Sequence, residues 1–312
     1  MSKITNKLNL PKQLVNAAES DYKPTPHQYS VTTVLNPIRQ TILQRRYNNE
    51  IEQDVADMIW MLFGTSFHSL MESSKEDNNE LKEEYLKQDL ECLDKDLNGY
   101  YLSGKADLYN ADEKRMIDFK TTSAFKFVKK DFEDYRLQLL MYAWLFNKIG
   151  FETNKGQIIA LLRDWQKSKA KFDKNYPQFQ VQTVDFKFTK KDFKYIEEYI
   201  KNKFLELKKY EDTPDEELPM CIDEERWREP TKYAVKKKAN KTATKLHDTM
   251  EEARNHLDNL EKNYPNIYEI EVREGTDKKC IDYCSCCKFC PYYKEKYMKG
   301  ESKCTNVKNV ED

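Results

Sequence analysis

The chain has 312 residues, of which 34% are charged and 39% apolar, and its mean hydropathy is −0.92. That length can bury a sizeable core, and we read it as one domain carrying an insertion. No apolar run approaches the roughly 18 residues a spanning helix needs, and the opening MSKITNKLNLPKQL lacks the apolar core of a signal peptide, so the expectation is a protein of the cytoplasm without membrane contact. The 53 basic residues nearly balance the 54 acidic ones, so overall charge does not announce a polyanionic partner.

In chain order, residues 1–27 are polar, contain three prolines and show no period, which predicts a loosely ordered arm. From Ile51 to about Lys75, apolar residues at Val55, Ile59, Leu62, Phe63, Phe67, Leu70 and Met71 recur at three and four, the mark of an amphipathic helix that Gly64 interrupts. Alternating segments at 83–92, 99–109 and 114–121 predict antiparallel strands, the last two forming a hairpin. Helical period returns over 131–149 with a wide apolar face, strands follow near 156–163 and 178–187, and a helix covers 190–209. This order predicts an α/β core over 28–220, with a central mixed sheet flanked by helices. After the acidic stretch DTPDEELP, residues 221–279 read as strand, strand, helix, strand, a small inserted sheet-and-helix module, and 280–312 as a cysteine-rich strap.

Three lysine clusters carry local positive charge: Lys126, Lys129 and Lys130; Lys167, Lys169, Lys171 and Lys174; and Lys236, Lys237, Lys238 and Lys241. A charge run is ordinarily a solvated face. The last set is expected at a hairpin tip, making phosphate contacts that do not depend on sequence.

The segment GKADLYNADEKRMIDFKTTS carries the candidate chemistry. Residues i and i+2 of a strand face the same way, so Asp118 and Lys120 share a side, and hairpin pairing brings Asp107 beside them. Two carboxylates with the backbone carbonyl of Phe119 suit Mg²⁺ or Mn²⁺. A cation held there polarises a phosphate, while the lysine orients water and offsets charge on phosphorus. Taken alone, D-x-K after an upstream Asp also fits a solvated strand face.

The motif has companions in order: SVTTVLNPIRQTIL at 30–43, GTSFH ending at His68, GKADL with Asp107, IDFKTTS with Asp118 and Lys120, and QLLMY with Gln138 and Tyr142. Together they resemble the RecB-type branch of the PD-(D/E)xK nucleases, which includes phage exonucleases and CRISPR-associated adaptation nucleases. The resemblance implies a restriction-endonuclease-like core and a metal-dependent deoxyribonuclease, an exonuclease by expectation. Its setting would be recombination, repair or phage DNA processing, in the host cytoplasm if phage-encoded. DNA ends or single strands would be the substrate, with a recombinase or single-strand-binding protein as a further partner class. His68 would complete the metal shell, and Gln138 and Tyr142, one helical turn apart, would face the active site or DNA. His68 and Tyr142 can also be read as core residues. A non-catalytic DNA-binding module of the same fold is the second reading, and a metal–thiolate interaction protein with an incidental D-x-K the third.

Six of the eight cysteines, Cys280, Cys284, Cys286, Cys287, Cys290 and Cys304, crowd the C-terminus, which points to a soft metal rather than a disulfide framework. Cys280-x3-Cys284-x5-Cys290 resembles the three-cysteine tail that holds a [4Fe–4S] cluster in iron–sulfur members of the branch, whose first gap is usually one residue shorter. Their fourth ligand often precedes the histidine helix, where this chain has Asn36-Pro37-Ile38-Arg39. Cys221 is taken as the replacement, as in a phage subgroup with a cysteine before the same kind of insertion. Four thiolates can hold [4Fe–4S] or tetrahedral Zn²⁺, and the expectation is a structural [4Fe–4S] cluster with Zn²⁺ as the alternative. Cys286, Cys287 and Cys304 leave the ligand set open.

Overall fold

The computed structural model describes residues 3–19, 23–75 and 79–298, and the chain divides into two compact units, Met1–Leu218 and Pro219–Asp312. Cys304 lies outside the described residues.

The first segment, expected as a loose arm, is instead built into the first unit. Strand β1 (Lys3–Thr5) pairs in parallel with residues 52–54, and helix α1 (Lys12–Ala18) packs Leu14, Val15 and Ala18 around Val55 and Met58. Thr5 Oγ1 at 2.7 Å and the Lys7 N–H at 3.0 Å both donate to Asp54 Oδ2, closing the seam. The apolar residues here are too few and too unevenly spaced to show a period. β2 (Gln28–Ser30), α2 (Val31–Val34), α3 (Ile38–Arg46), β3 (Glu52–Asp54) and α4 (Ile59–Glu72) follow. The helix expected from residue 51 therefore starts later, because residues 52–54 join β1 and Asp54 caps a 3-10 turn over 55–58.

None of the residues of α4 is buried, and Trp60, Met61, Phe63 and Leu70 are exposed. Its apolar side chains are distributed around the helix, so no single face can bury them all. Gly64 is a point of close approach, since a Cβ there would lie 3.2 Å from Thr121 Oγ1.

The rest of the unit comprises β4 (Glu80–Asp89), β5 (Tyr101–Asn110), β6 (Arg115–Thr122), α5 (Ala124–Lys129), α6 (Glu133–Lys148), β7 (Lys155–Leu162), α7 (Lys167–Phe172), β8 (Val181–Lys187) and α8 (Lys190–Tyr210). A six-stranded mixed sheet runs β2-β5-β6-β7-β8, with β4 also on β5. The β5–β6 hairpin is antiparallel as expected, and β6 and β7 are parallel, joined by the helical crossover that parallel strands require. α6 is apolar all round and buries every residue from Gln138 to Phe146. α8 opens with a capping box between Thr189 and Asp192 and buries Ile196, Ile200, Phe204 and Leu207 at helical spacing. The unit is the α/β core with a central mixed sheet and flanking helices that the element order implies. No helix among the described residues is long and apolar enough to cross a membrane.

Register locates a fork in the sheet. β4 pairs with β5 along nearly its whole length, so β2, at Tyr101–Ser103, and β6, at Leu108–Asn110, share the other edge of β5. Over residues 104–107 no described strand pairs with that edge, and β5 and β6 separate.

The second unit has α9 (Asp223–Arg226), β9 (Lys232–Lys237), β10 (Lys245–His247), α10 (Met250–Glu261), β11 (Tyr268–Arg273), α11 (Lys278–Asp282) and α12 (Pro291–Tyr293). Strand, strand, helix, strand is the expected order. The antiparallel sheet β10-β9-β11 packs Val235 and Tyr268 against Ala253, Leu257 and Leu260. Where the two ends of this module meet, Gly275 is required: a Cβ would come within 1.9 Å of the Glu229 carbonyl oxygen.

Asp277 holds that meeting point together. Its side chain is 0% exposed, and its Oδ1 receives Arg226 Nε and Arg228 Nη1, each at 3.1 Å. Its Oδ2 receives Tyr292 at 2.5 Å, Tyr297 at 2.7 Å and Lys296 at 2.8 Å. Burial pushes this carboxyl up, but the hydrogen bonds from Lys296, Tyr292, Tyr297 and Arg228 outweigh it and hold the group well below the usual carboxylate range. Asp277→Ala leaves the cations unpaired and is expected to cost roughly 3–5 kcal/mol in urea unfolding of this unit. A depressed folded value means the stabilisation is complete above the ordinary 3.8 and is lost as the pH falls below it. An acid-unfolding profile that Asp277→Asn leaves unchanged would refute this role.

Candidate active site

The site forms at the fork. Asp107 lies one residue beyond the Leu108–Ile117 pair, opposite Asp118, where main-chain pairing between β5 and β6 stops. Freed from the ladder, the Asp107 carboxylate accepts the Phe119 N–H through Oδ2 at 2.7 Å. The N–H and C=O of one strand residue point the same way, so the Phe119 carbonyl also faces the fork. His68 on α4 places Nδ1 3.3 Å from Asp107 Oδ1. Phe67 meets Phe119 edge-on, so α4 lies on the side of β6 that carries Phe119 and Thr121.

α6 lies on the opposite side of β6. Gln138 Nε2 donates to Asp118 Oδ1 at 3.0 Å, and Asp118 Oδ2 is 2.6 Å from Lys120 Nζ. Asp118 is only 2% exposed. Burial pushes its carboxyl up, the charge of Lys120 pulls it back and that of Asp107 raises it again, leaving it at about 6. The hydrogen bond to Asp107 raises the His68 imidazole above its usual value, against the effect of burial. For Lys120, burial is opposed and outweighed by Asp118, so the ammonium is held charged.

Glu83, on β4, belongs to this group, and the sequence reading missed it. One ligand atom from each of His68, Glu83 and Asp107 lies within 4.8 Å of the others. β4 and β5 keep register on either side, Lys82 with Leu108 and Glu84 with Ala106, but the intervening Glu83 has φ of 52°. A left-handed backbone in a non-glycine strand residue costs roughly 1–3 kcal/mol. Burial along β5 is also irregular, with Leu102, Ser103, Gly104 and Ala106 buried and then Tyr109. The strict alternation assumed from the sequence therefore fails where the site is built. Lys105 pairs with Glu83 at 2.7 Å and with Glu72 at 3.3 Å.

Gln138 and Tyr142, one turn apart on α6, both face the group around Asp118. They are 7% and 6% exposed. Gln138 holds Asp118, while the Tyr142 ring fills the space above Gly104, where a Cβ would meet its Cε1 at 2.6 Å. Lys236 is also not at a hairpin tip. It lies within β9, ion-paired with Glu271 at 2.7 Å and Glu269 at 3.3 Å. Lys237 ends that strand, while Lys238 and Lys241 fall in the turn before β10.

In the second unit, Cys280 is pushed up to about 12 by burial and then by the negative charges of Cys284, Asp277, Cys221 and Cys290. Cys221, Cys284 and Cys290 are thus each within electrostatic reach of Cys280. Cys284 and Cys286 are 3.6 Å apart at sulfur, and Cys286 and Cys287 are buried, so neither drops out of the candidate set.

No family model and no curated protein matches the chain. Among solved structures, the protein SSO0001 is 17% identical with a TM-score of 0.44, the likeness covering 68% of this chain and 91% of that one. A phage related exonuclease from Haemophilus somnus 129PT is 15% identical with a TM-score of 0.33, covering 56% of this chain and 79% of that one. Likenesses this slight carry no functional argument, which rests on the site itself.

Gly104→Ala forces the new methyl group into the Tyr142 ring and is expected to cost about 1–3 kcal/mol in chemical denaturation. Tyr142→Leu in the same chain should recover part of that loss, a coupling of at least about 0.5 kcal/mol. Strict additivity would show that the ring contact is not the cause.

Proposed function

We propose that this chain is a divalent-metal-dependent DNA nuclease whose catalytic centre is His68, Glu83, Asp107, Asp118 and Lys120. The observation that carries the reading is the convergence at the sheet fork of three carboxylates, an imidazole and a half-buried lysine. Their donor chemistry fits Mg²⁺ or Mn²⁺: the oxygens are hard, and a carboxyl raised to about 6 by burial and a neighbouring carboxylate marks a surplus of negative charge that a cation answers. Asp107, Asp118, His68, Glu83 and the Phe119 carbonyl are the residues that would hold it. When bound, such a cation supplies Lewis-acid polarisation of the scissile phosphate and the attacking water.

The chain's own groups do the rest. Gln138 fixes the Asp118 carboxylate, and the Phe119 N–H fixes that of Asp107, so neither has to reorient during reaction. Lys120, held charged, positions the water and offsets charge developing on phosphorus. DNA ends or single strands remain the proposed substrate, exonucleolytic action the proposed mode, and recombination, repair or phage DNA processing the setting. The restriction-endonuclease-like description of the core and the recombinase or single-strand-binding partner belong to the same proposal. Lys237, Lys238 and Lys241, exposed beside the ion-paired Lys236, are proposed as phosphate contacts.

End-labelled single- and double-stranded DNA incubated with Mg²⁺, Mn²⁺ or EDTA tests the reading. Asp118→Asn and Lys120→Ala are expected to lower cleavage at least about a hundredfold while DNA binding survives. His68→Ala and Glu83→Gln should raise the metal concentration needed about tenfold or more. Wild-type cleavage by Lys120→Ala sinks the assignment, and metal-independent binding without cleavage by the wild type favours the non-catalytic alternative.

A thiol-bound group in the second unit belongs to the same proposal, with Cys221, Cys280, Cys284 and Cys290 as ligands of [4Fe–4S] or, alternatively, Zn²⁺. Sulfur donors fit a soft metal, since each thiol can give up its proton on binding and the cation neutralises the thiolates formed. Protein purified without oxygen should be brown and lose its iron in Cys280→Ser. One zinc and no iron selects the alternative, and neither metal removes both. Loss of metal in Cys287→Ser but not Cys280→Ser means that the wrong thiol was chosen.

A further inference from the structure

β10 and α10 bring together two histidines that no motif connects. His247 Nε2 lies 2.9 Å from His256 Nδ1, with ring centroids 5.0 Å apart. His247 is buried, and its other ring nitrogen, Nδ1, faces Glu252 Oε2 at 3.9 Å. Glu252 and His256 are one turn apart on α10, hence on one face. The strand thus supplies one imidazole, and the helix supplies the other together with a carboxylate. All three line an open depression of about 610 Å³ that Asp248 and Asn259 also border.

We propose that His247 and His256 form a site for a divalent transition-metal ion, with His247 Nε2 and His256 Nδ1 as ligands and Glu252 as the carboxylate behind His247. Two imidazole nitrogens on one tetrahedral zinc, at bond lengths of about 2.0–2.1 Å, sit roughly 3.3–3.4 Å apart. The rings need to open by only a few tenths of an ångström. In the metal-free pair, one of the facing nitrogens carries the proton that the other accepts. An incoming cation takes both lone pairs, and that proton passes to the other nitrogen of its own ring, a tautomer shift that leaves both imidazoles neutral. Burial, His247 and Lys245 hold His256 below the usual imidazole value, which favours the neutral ring a metal needs. The Glu252 carboxylate, 3.9 Å from the non-ligating nitrogen and accepting the Asp248 N–H at 3.3 Å, lies where a small shift would let it take that ring's N–H and raise ligand basicity. Nitrogen donors select Zn²⁺, Ni²⁺ or Cu²⁺ over the Mg²⁺ and Mn²⁺ suited to the carboxylate centre. The site shares no residue with that centre or with the thiols.

Zn²⁺ titrated into the full chain, with imidazole ¹⁵N resonances observed, tests the proposal. His247 and His256 should move together, and His27 should stay. Glu252→Gln should weaken this binding about tenfold or more, and His256→Gln should lower bound zinc by one ion per chain in equilibrium dialysis. Zinc that binds the protein while the His247 and His256 resonances stay fixed overturns the proposal, as does an unchanged zinc count in a folded His256→Gln. If that variant does not fold, the wild-type resonances decide.

Discussion

Taking a carboxylate to 2% exposure costs several kcal/mol unless charge and hydrogen bonds answer it, and Asp118 is answered by Gln138 and Lys120. Gln138 can reach it only because α6 is apolar enough to lie deep against the sheet. Tyr142, one turn along, fits only because residue 104 has no Cβ. Asp107 is free to take the Phe119 N–H because β5 has parted from β6 at that residue. The fork, the glycine and the buried helix are thus parts of one arrangement, and it still leaves Asp118 at about 6.

Much of this was legible because two periods govern it. Alternation placed the strands near Asp107 and Asp118, and i, i+2 spacing put Lys120 beside Asp118. The four-residue spacing of Gln138 and Tyr142 puts both on the face of α6 turned toward Asp118. Glu83 was not legible because its membership depends on a left-handed φ that interrupts alternation, and EEYLKQD offers two adjacent glutamates with no local sign of which turns inward. Period also misled at α4, where apolar residues recur at three and four but encircle the helix, so regular spacing did not yield burial. Lys236 looked like part of a solvated charge run because its partners, Glu269 and Glu271, are on a strand more than thirty residues later.

In the second unit, the composition advertises the cysteines, yet the contacts at its base converge on Asp277, a residue with no motif around it. Arg226 spans Asp277 and the carbonyl of Cys221, so the same carboxylate that joins the module's two ends also fixes the backbone at one candidate thiol. Lys296 and two tyrosines bring in the segment after Cys290. The base of the unit therefore has a clasp that needs no metal, and a metal bound at the proposed thiols would add to that fastening rather than supply all of it.

The carboxylate and thiol groups would respond differently to protons if the proposed cations bind. Burial raises the Asp118 carboxyl and Lys120 pulls it back, so a cation there would meet a proton held less firmly than on a thiol. Burial pushes the Cys280 thiol up further, so a metal there would have to displace its proton. Occupancy of the thiols by a simple cation such as Zn²⁺ would therefore depend more steeply on pH than occupancy of the carboxylates, and ligand chemistry with proton competition would keep a soft cation and a hard one apart.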